Sequence, residues 1–150
     1  MHFDIMVGSV LGASEYVAEA ILVSIIQSGH TGECHFEPTL STLNKDNVLL
    51  ICTSTHGAGD LPYNIVSYAK ALENTDLQGF SAMIIGLGDS SYDTYCGAAM
   101  KMEDLLLARG VTLLSEPLHI DVLNHPIPEE VAVEWFSTQL NKVTSEQPAS

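Results

Sequence analysis

The chain has 150 residues, 46% of them hydrophobic, and carries 19 acidic against five basic side chains for a formal net charge of −14. That length suits one domain with a real core, and the charge excludes phosphate-rich partners: nucleic acids and anionic membranes recruit clustered Lys and Arg. No apolar run is long enough to span a bilayer and no basic-then-apolar leader opens the chain, so a cytoplasmic protein is the expectation.

Strand-like and helix-like patterns alternate along the sequence. Phe3 to Val7 reads as a buried strand, followed by a helix whose stripe is Val17, Ala20, Ile21, Ser24 and Ile25, with Gly29 as its stop. Glu33 to Glu37 is a short strand and Val48 to Cys52 a buried one. Pro62 starts a second helix with Ile65, Tyr68, Ala69 and Leu72 at helical spacing. Met83 to Ile85 is the next buried strand. A third helix carries Ala98, Met102, Leu105 and Leu106 and closes at Arg109-Gly110. Val111 to Leu114 and Leu118 to Val122 are extended, either as two strands or as one interrupted strand. Pro128 opens a last helix with Ala132, Val133, Phe136, Leu140 and Val143 inward. Residues 1–145 form one domain, and 146–150 are a polar, frayed tail. The alternation predicts an α/β three-layer sandwich: a five-stranded parallel sheet of order 2-1-3-4-5 with helices on both faces.

Three loops follow buried strands, and in such a sheet the carboxyl ends of the strands gather on one rim, where ligands bind. The first, Gly8-Ser9-Val10-Leu11-Gly12-Ala13-Ser14, turns a strand into a helix. Free amides at a helix N-terminus suit an anion, and Ser9 and Ser14 can add hydroxyls. The loop lacks the lysine of a nucleoside triphosphate loop and the GxGxxG of a dinucleotide site, so a monophosphate fits better. The second, Thr53-Ser54-Thr55-His56-Gly57-Ala58-Gly59-Asp60, offers glycines that let backbone approach a flat ligand, and His56 can stack or donate. The third, Gly86-Leu87-Gly88-Asp89-Ser90-Ser91-Tyr92, places an aromatic on the rim. Tyr92 is the better candidate for ring stacking and Tyr95 for partial packing, with Cys96 close by. No group of residues suggests a catalytic acid, base or nucleophile. Cys34, Cys52 and Cys96 have no CxxC spacing and the six histidines no HxxxH spacing, so no disulfide framework or metal site is expected. Asp60, Asp89, Asp93, Glu116 and Asp121 in or near the rim loops suit a basic protein partner as well as simple solubility.

The second and third loops resemble the FMN-binding loops of the flavodoxin family, closest to the flavodoxin-like domains of diflavin reductases. Ser9-x-x-Gly12-x-Ser14 is similar to that family's phosphate loop, with Leu11 where threonine is usual. The stretches Gly12 to Glu19 and Leu118 to Glu129 are similar to a small bacterial branch of the family. The resemblance implies one noncovalent FMN and one-electron transfer. Ser9, Val10, Leu11, Gly12, Ala13 and Ser14 would hold the phosphate. Thr53, Ser54, Thr55, His56, Gly57, Ala58 and Gly59 would border one side of the ring, and Leu87, Gly88, Asp89, Tyr92, Tyr95 and Cys96 the other. His56 stands where many relatives carry an aromatic. It further implies a carrier rather than an enzyme, reduced by a separate NAD(P)H-dependent flavodoxin reductase and serving a client enzyme, both with basic docking surfaces. Biotin synthesis is one client process linked with the bacterial branch. A monomer, or at most a weak dimer, is expected.

Two other classes compete. An NAD(P)H-dependent flavin or quinone reductase on this fold would need cations for nucleotide phosphates, and the rim loops contain no Lys or Arg. An FMN-binding regulatory protein without electron transfer is the non-enzymatic alternative. A phosphorylatable receiver module would need paired acidic residues after the first strand, where Gly8-Ser9 stand.

Overall fold

A computed structural model describes residues 1–10 and 12–146. Leu11 of the first loop and residues 147–150 of the expected tail lie outside the described residues. The elements run β1 (His2–Gly8), α1 (Ala13–Gln27), β2 (Thr31–His35), a 3-10 turn (Leu40–Thr42), β3 (Val48–Thr53), α2 (Tyr63–Leu72), β4 (Ser81–Gly88), α3 (Gly97–Ala108), β5 (Thr112–Leu113), β6 (Leu118–Asp121) and α4 (Pro128–Glu146).

Every ladder is parallel, in the order β2-β1-β3-β4-β5, and β6 also pairs with β4. The doubly wound sheet of order 2-1-3-4-5 is therefore the fold. β3 is buried at all six positions, as a central parallel strand covered on both faces should be. β2 keeps every residue at least partly exposed, as an edge strand does.

The fifth strand position is one interrupted strand. Ala82 pairs with Leu113 and Ile85 with Leu118, so β4 advances three residues while the facing edge advances five. Leu114 to Pro117 loop out between the two pairs. Strand β2 starts two residues before the expected Glu33, because its pairing begins where that of β1 does, at His2 opposite Thr31.

The alternating side chains of the sheet fill two cores. Phe3, Ile5, Val7, Leu50 and Ile85 pack under α1 and α4, where Phe136 meets Phe3 edge-on with centroids 5.4 Å apart. Met6, Leu49, Ile51 and Ile84 pack under α2 and α3 against Ile65, Tyr68, Leu72, Met102 and Leu106. Each such side chain contributes about 1.5–3 kcal/mol when fully buried. Ala20, Leu105 and Val133 are only half-buried, whereas Ala18 and Ala99 are fully buried. Alanines at these positions let the helices approach the sheet closely. A Cβ on Gly86 would collide with that of Ala99.

Candidate functional site

The three rim loops meet through backbone and side-chain bonds. Ser54 N donates to Gly8 O at 2.9 Å, tying the first loop to the second. Thr55 Oγ1 donates to Leu87 O at 3.3 Å and accepts from Ala98 N at 3.4 Å, tying the second to the third. Gly97 and Gly59 touch so closely that a Cβ on Gly97 would stand 2.8 Å from Gly59 Cα.

The first loop winds over the N-terminus of α1, whose cap is Gly12 at φ 92°. A left-handed residue there costs glycine nothing. Ser9 Oγ accepts from Gly12 N at 3.1 Å, and Ser9 N donates to Asn64 Oδ1 at 2.9 Å. Asn64 Nδ2 donates to Val7 O at 2.6 Å and to Phe36 O at 3.0 Å. One side chain at the start of α2 thus clamps the loop to two other segments. Ser14 is fully buried and gives its hydroxyl proton to Gly8 O at 2.6 Å. The first-turn amides of α1 and the helix dipole are what this rim offers an anion. The recess outside the loop, about 860 Å³, is lined by Ser9, Val10, Gly12, Tyr16, Phe36 and Asn64 together with Glu15, Glu19 and Glu37.

The second and third loops face each other across a cleft of about 530 Å³. Its walls are Thr55, Gly57 and Ala58 on one side and Gly88, Asp89 and Tyr92 to Cys96 on the other. His56 and Asp60 exchange both backbone bonds, at 2.7 and 2.8 Å, and so pinch Gly57 to Gly59 into a tight projecting loop. Gly57, at φ 52°, has open space where a Cβ would be. The aromatic Tyr92 is 65% exposed on the opposite rim. Tyr95 lies lower, edge-on to His119 with centroids 6.2 Å apart.

Of the other expected site residues, Thr53, Leu87 and Cys96 are buried, and the Thr53 hydroxyl donates to Ser54 O at 2.8 Å. His56 turns away from the cleft and packs on Tyr63, centroids 4.8 Å apart, in a third recess with Asp60 and Lys101. That lysine belongs to α3 and not to the rim loops, which hold no Lys or Arg. A cation does reach the rim, because the first turns of α3 bring Lys101 Nζ to 3.1 Å from Asp60 Oδ1.

Burial, with Cys96 and Asp121 nearby, pushes the Tyr95 phenol up to about 12. Burial likewise pushes the Cys96 thiol to about 11. Both stay neutral at ordinary pH beside the cleft. Cys96 caps α3 in a left-handed conformation, φ 52°, which costs a non-glycine residue about 1–2 kcal/mol. The tight fit on Gly88 holds it there, since a Cβ on Gly88 would meet Cys96 N at 2.6 Å.

Sequence reasoning missed two organisers. Asn64 sits on a helix that carries no motif. Asp121 ends β6 and accepts from Ser90 N at 3.2 Å, Leu123 N at 3.1 Å and Asn124 Nδ2 at 2.9 Å. The Ser90 side chain first, and then the Ser90 and Leu123 amides and His125, hold the Asp121 carboxyl below its ordinary value. Only Asp121 gave a signal: an acidic residue at a strand end beside the rim.

An anion-suited helix start and an open, largely apolar cleft between two glycine-bearing loops, on the rim of a 2-1-3-4-5 sheet, define the flavodoxin-like class of nucleotide-binding domains. The chain belongs to the flavodoxin family: the Flavodoxin family model matches residues 5–135. It is 40% identical to Protein MioC of Escherichia coli K12 over 136 residues, 89% of this chain and 92% of that protein. Flavodoxin YqcA of the same organism is 34% identical over 140 residues, 89% of this chain and 93% of its own. The fold matches a cysteine-to-serine mutant of flavodoxin from Pseudomonas aeruginosa with a TM-score of 0.84 and 30% identity, covering 92% of this chain and 95% of that one. The family's cofactor is FMN, and the cleft fits it. The volume lies within the usual range for small-molecule sites, and the walls are largely apolar with Tyr92 and Tyr95 among them. At the phosphate end the helix-start amides share their recess with Glu15, Glu19 and Glu37.

Proposed function

We propose that the chain carries electrons, taking them from a separate NAD(P)H-dependent reductase and passing them singly to a client enzyme. FMN, when bound, supplies the one-electron chemistry. In this reading Ser9, Val10, Gly12 and the first turn of α1 hold its phosphate. Thr55, Gly57 and Ala58 border one side of the ring. Gly88, Asp89 and Tyr95 border the other, and Tyr92 stacks on it from the rim. Ser14, Thr53 and Cys96 shape the loops from below.

The observation that carries the reading is the open cleft with exposed Tyr92 at its mouth. A ring held there keeps an edge at the surface, where outer-sphere transfer to a docked protein is possible. Neutral Tyr95 and Cys96 beside it provide no acid, base or nucleophile at ordinary pH. The net charge of −14 works against adding further negative charge to a reduced ring, which makes the carrier a stronger donor. Lys101, the cation at the rim, is paired with Asp60, which argues against a nicotinamide nucleotide held beside the flavin. A client in biotin synthesis accords with the likeness to MioC and is tested by reconstituting that synthesis with and without the chain. The direct test is reduction of the FMN-loaded protein by NADPH. Reduction only when a flavodoxin reductase is added supports the carrier, and fast reduction by NADPH alone supports a reductase instead.

A further inference from the structure

The sheet edge opposite the interrupted strand holds an arrangement unrelated to FMN. Asp4 of β1 is 3% exposed. Its side chain shares the sheet face of Met6, toward α2. In the β1–β2 ladder its direct partner is Glu33, so two carboxylates stand opposite each other on one face. Like charges so placed destabilise a sheet. Among the described residues neither Lys nor Arg relieves them. Two imidazoles come in instead: His35 Nε2 lies 3.1 Å and His2 Nε2 3.4 Å from the same oxygen, Asp4 Oδ1. His35 Nε2 is also 3.9 Å from Glu33 Oε2, and the ligand atoms of Asp4, Glu33 and His35 all lie within 4.8 Å of one another.

We propose that Asp4, Glu33, His35 and His2 form a binding site for one divalent transition-metal cation, with zinc as the preferred occupant. Ligand bonds of about 2.0–2.2 Å give tetrahedral edges of about 3.4 Å. The distances 3.1, 3.4 and 3.9 Å straddle that value; Asp4, Glu33 and His35 already lie together, and His2, which reaches Asp4, would swing in as the fourth ligand. Two nitrogens and two oxygens suit zinc better than the hard cations, which prefer oxygen alone. The outer contacts are those of a supported site. His2 Nδ1 is 2.8 Å from Thr31 Oγ1, which directs Nε2 at Asp4. Asn47 Nδ2 donates to Asp4 Oδ2 at 2.9 Å, leaving Oδ1 for the metal. Access is from the open edge at β2, where the Glu33 side chain is exposed and free to swing in.

The test is a zinc titration of the FMN-loaded full chain against a competing chromophoric chelator. One zinc per chain is expected. His2→Gln and Glu33→Gln, both at exposed side chains, should each weaken binding about tenfold or more, while circular dichroism and FMN content stay as in the wild type. Thr31→Val, which removes only the outer contact, should weaken it about tenfold. Cys34→Ser should leave zinc affinity unchanged, because Cys34 points to the other face, toward Ala18 O. Absence of stoichiometric zinc overturns the site. So does unaltered affinity in both the His2 and Glu33 variants, loss of binding in Cys34→Ser, or tighter binding of manganese than of zinc.

Discussion

Tyr92 and Tyr95 are three residues apart and do different work. Tyr92 projects from the rim, 65% exposed, with its ring free for a ligand. Tyr95 braces the loop against His119. Tyr92→Ala should therefore weaken FMN binding by on the order of 1 kcal/mol and leave the urea midpoint of the apoprotein unchanged. Tyr95→Ala should lower that midpoint. Fluorescence titration of FMN and urea denaturation separate the two; equal effects on both readouts would contradict the division. Asp121 makes a second prediction, in pH. Its carboxyl is held below the ordinary 3.8 by bonds that exist only in the folded chain. The stability it adds is present above that value and is lost as pH falls through the lower, folded one. Urea midpoints followed from about pH 5 to about pH 2 should fall more steeply in the wild type than in Asp121→Asn.

The elements show what the sequence makes legible. Buried strands β3 and β4 carry near-continuous apolar runs and β1 one broken only by Asp4, while α2 begins just after Pro62 and α4 at Pro128. The edge was ambiguous because the interruption between Leu113 and Leu118, two residues longer than the facing stretch of β4, leaves the hydrophobic pattern of a strand on both sides. The loops that carry the site were readable because glycine and hydroxyl residues follow strands there. Asn64 was not, because its role depends on three segments meeting in space: Val7, Ser9 and Phe36. Asn64→Ala removes all three bonds and leaves partly buried backbone groups unpaired. It should cost about 1–3 kcal/mol in urea denaturation and loosen FMN binding at the phosphate end. The Asp4 cluster was invisible for the same reason, since His2, Asp4, Glu33 and His35 have no motif spacing and meet only through the β1–β2 register.

At the scale of the whole molecule, charge and sheet polarity converge. The acidic groups Asp60, Asp89 and Asp93 lie on the same rim as the cleft, and Lys101 offsets Asp60 alone. Such a surface speeds encounter with a basic partner, and salt screens it with a Debye length of about 10 Å at 0.1 M. The second-order rate of reduction by a flavodoxin reductase, measured by stopped flow at saturating FMN, should fall steeply as ionic strength rises. Neutralising the three aspartates should slow it at low salt and flatten that dependence. A rate indifferent to salt would show that charge serves solubility only.

The central claim is that this fold holds one FMN and passes electrons one at a time. An anaerobic titration of the FMN-loaded chain with a one-electron reductant, followed by its visible spectrum, tests it most directly. The account predicts one FMN per chain and reduction in two resolved one-electron stages, with no reduction by NADPH until a reductase is added. Failure to bind FMN, or a single two-electron conversion driven by NADPH alone, would contradict it.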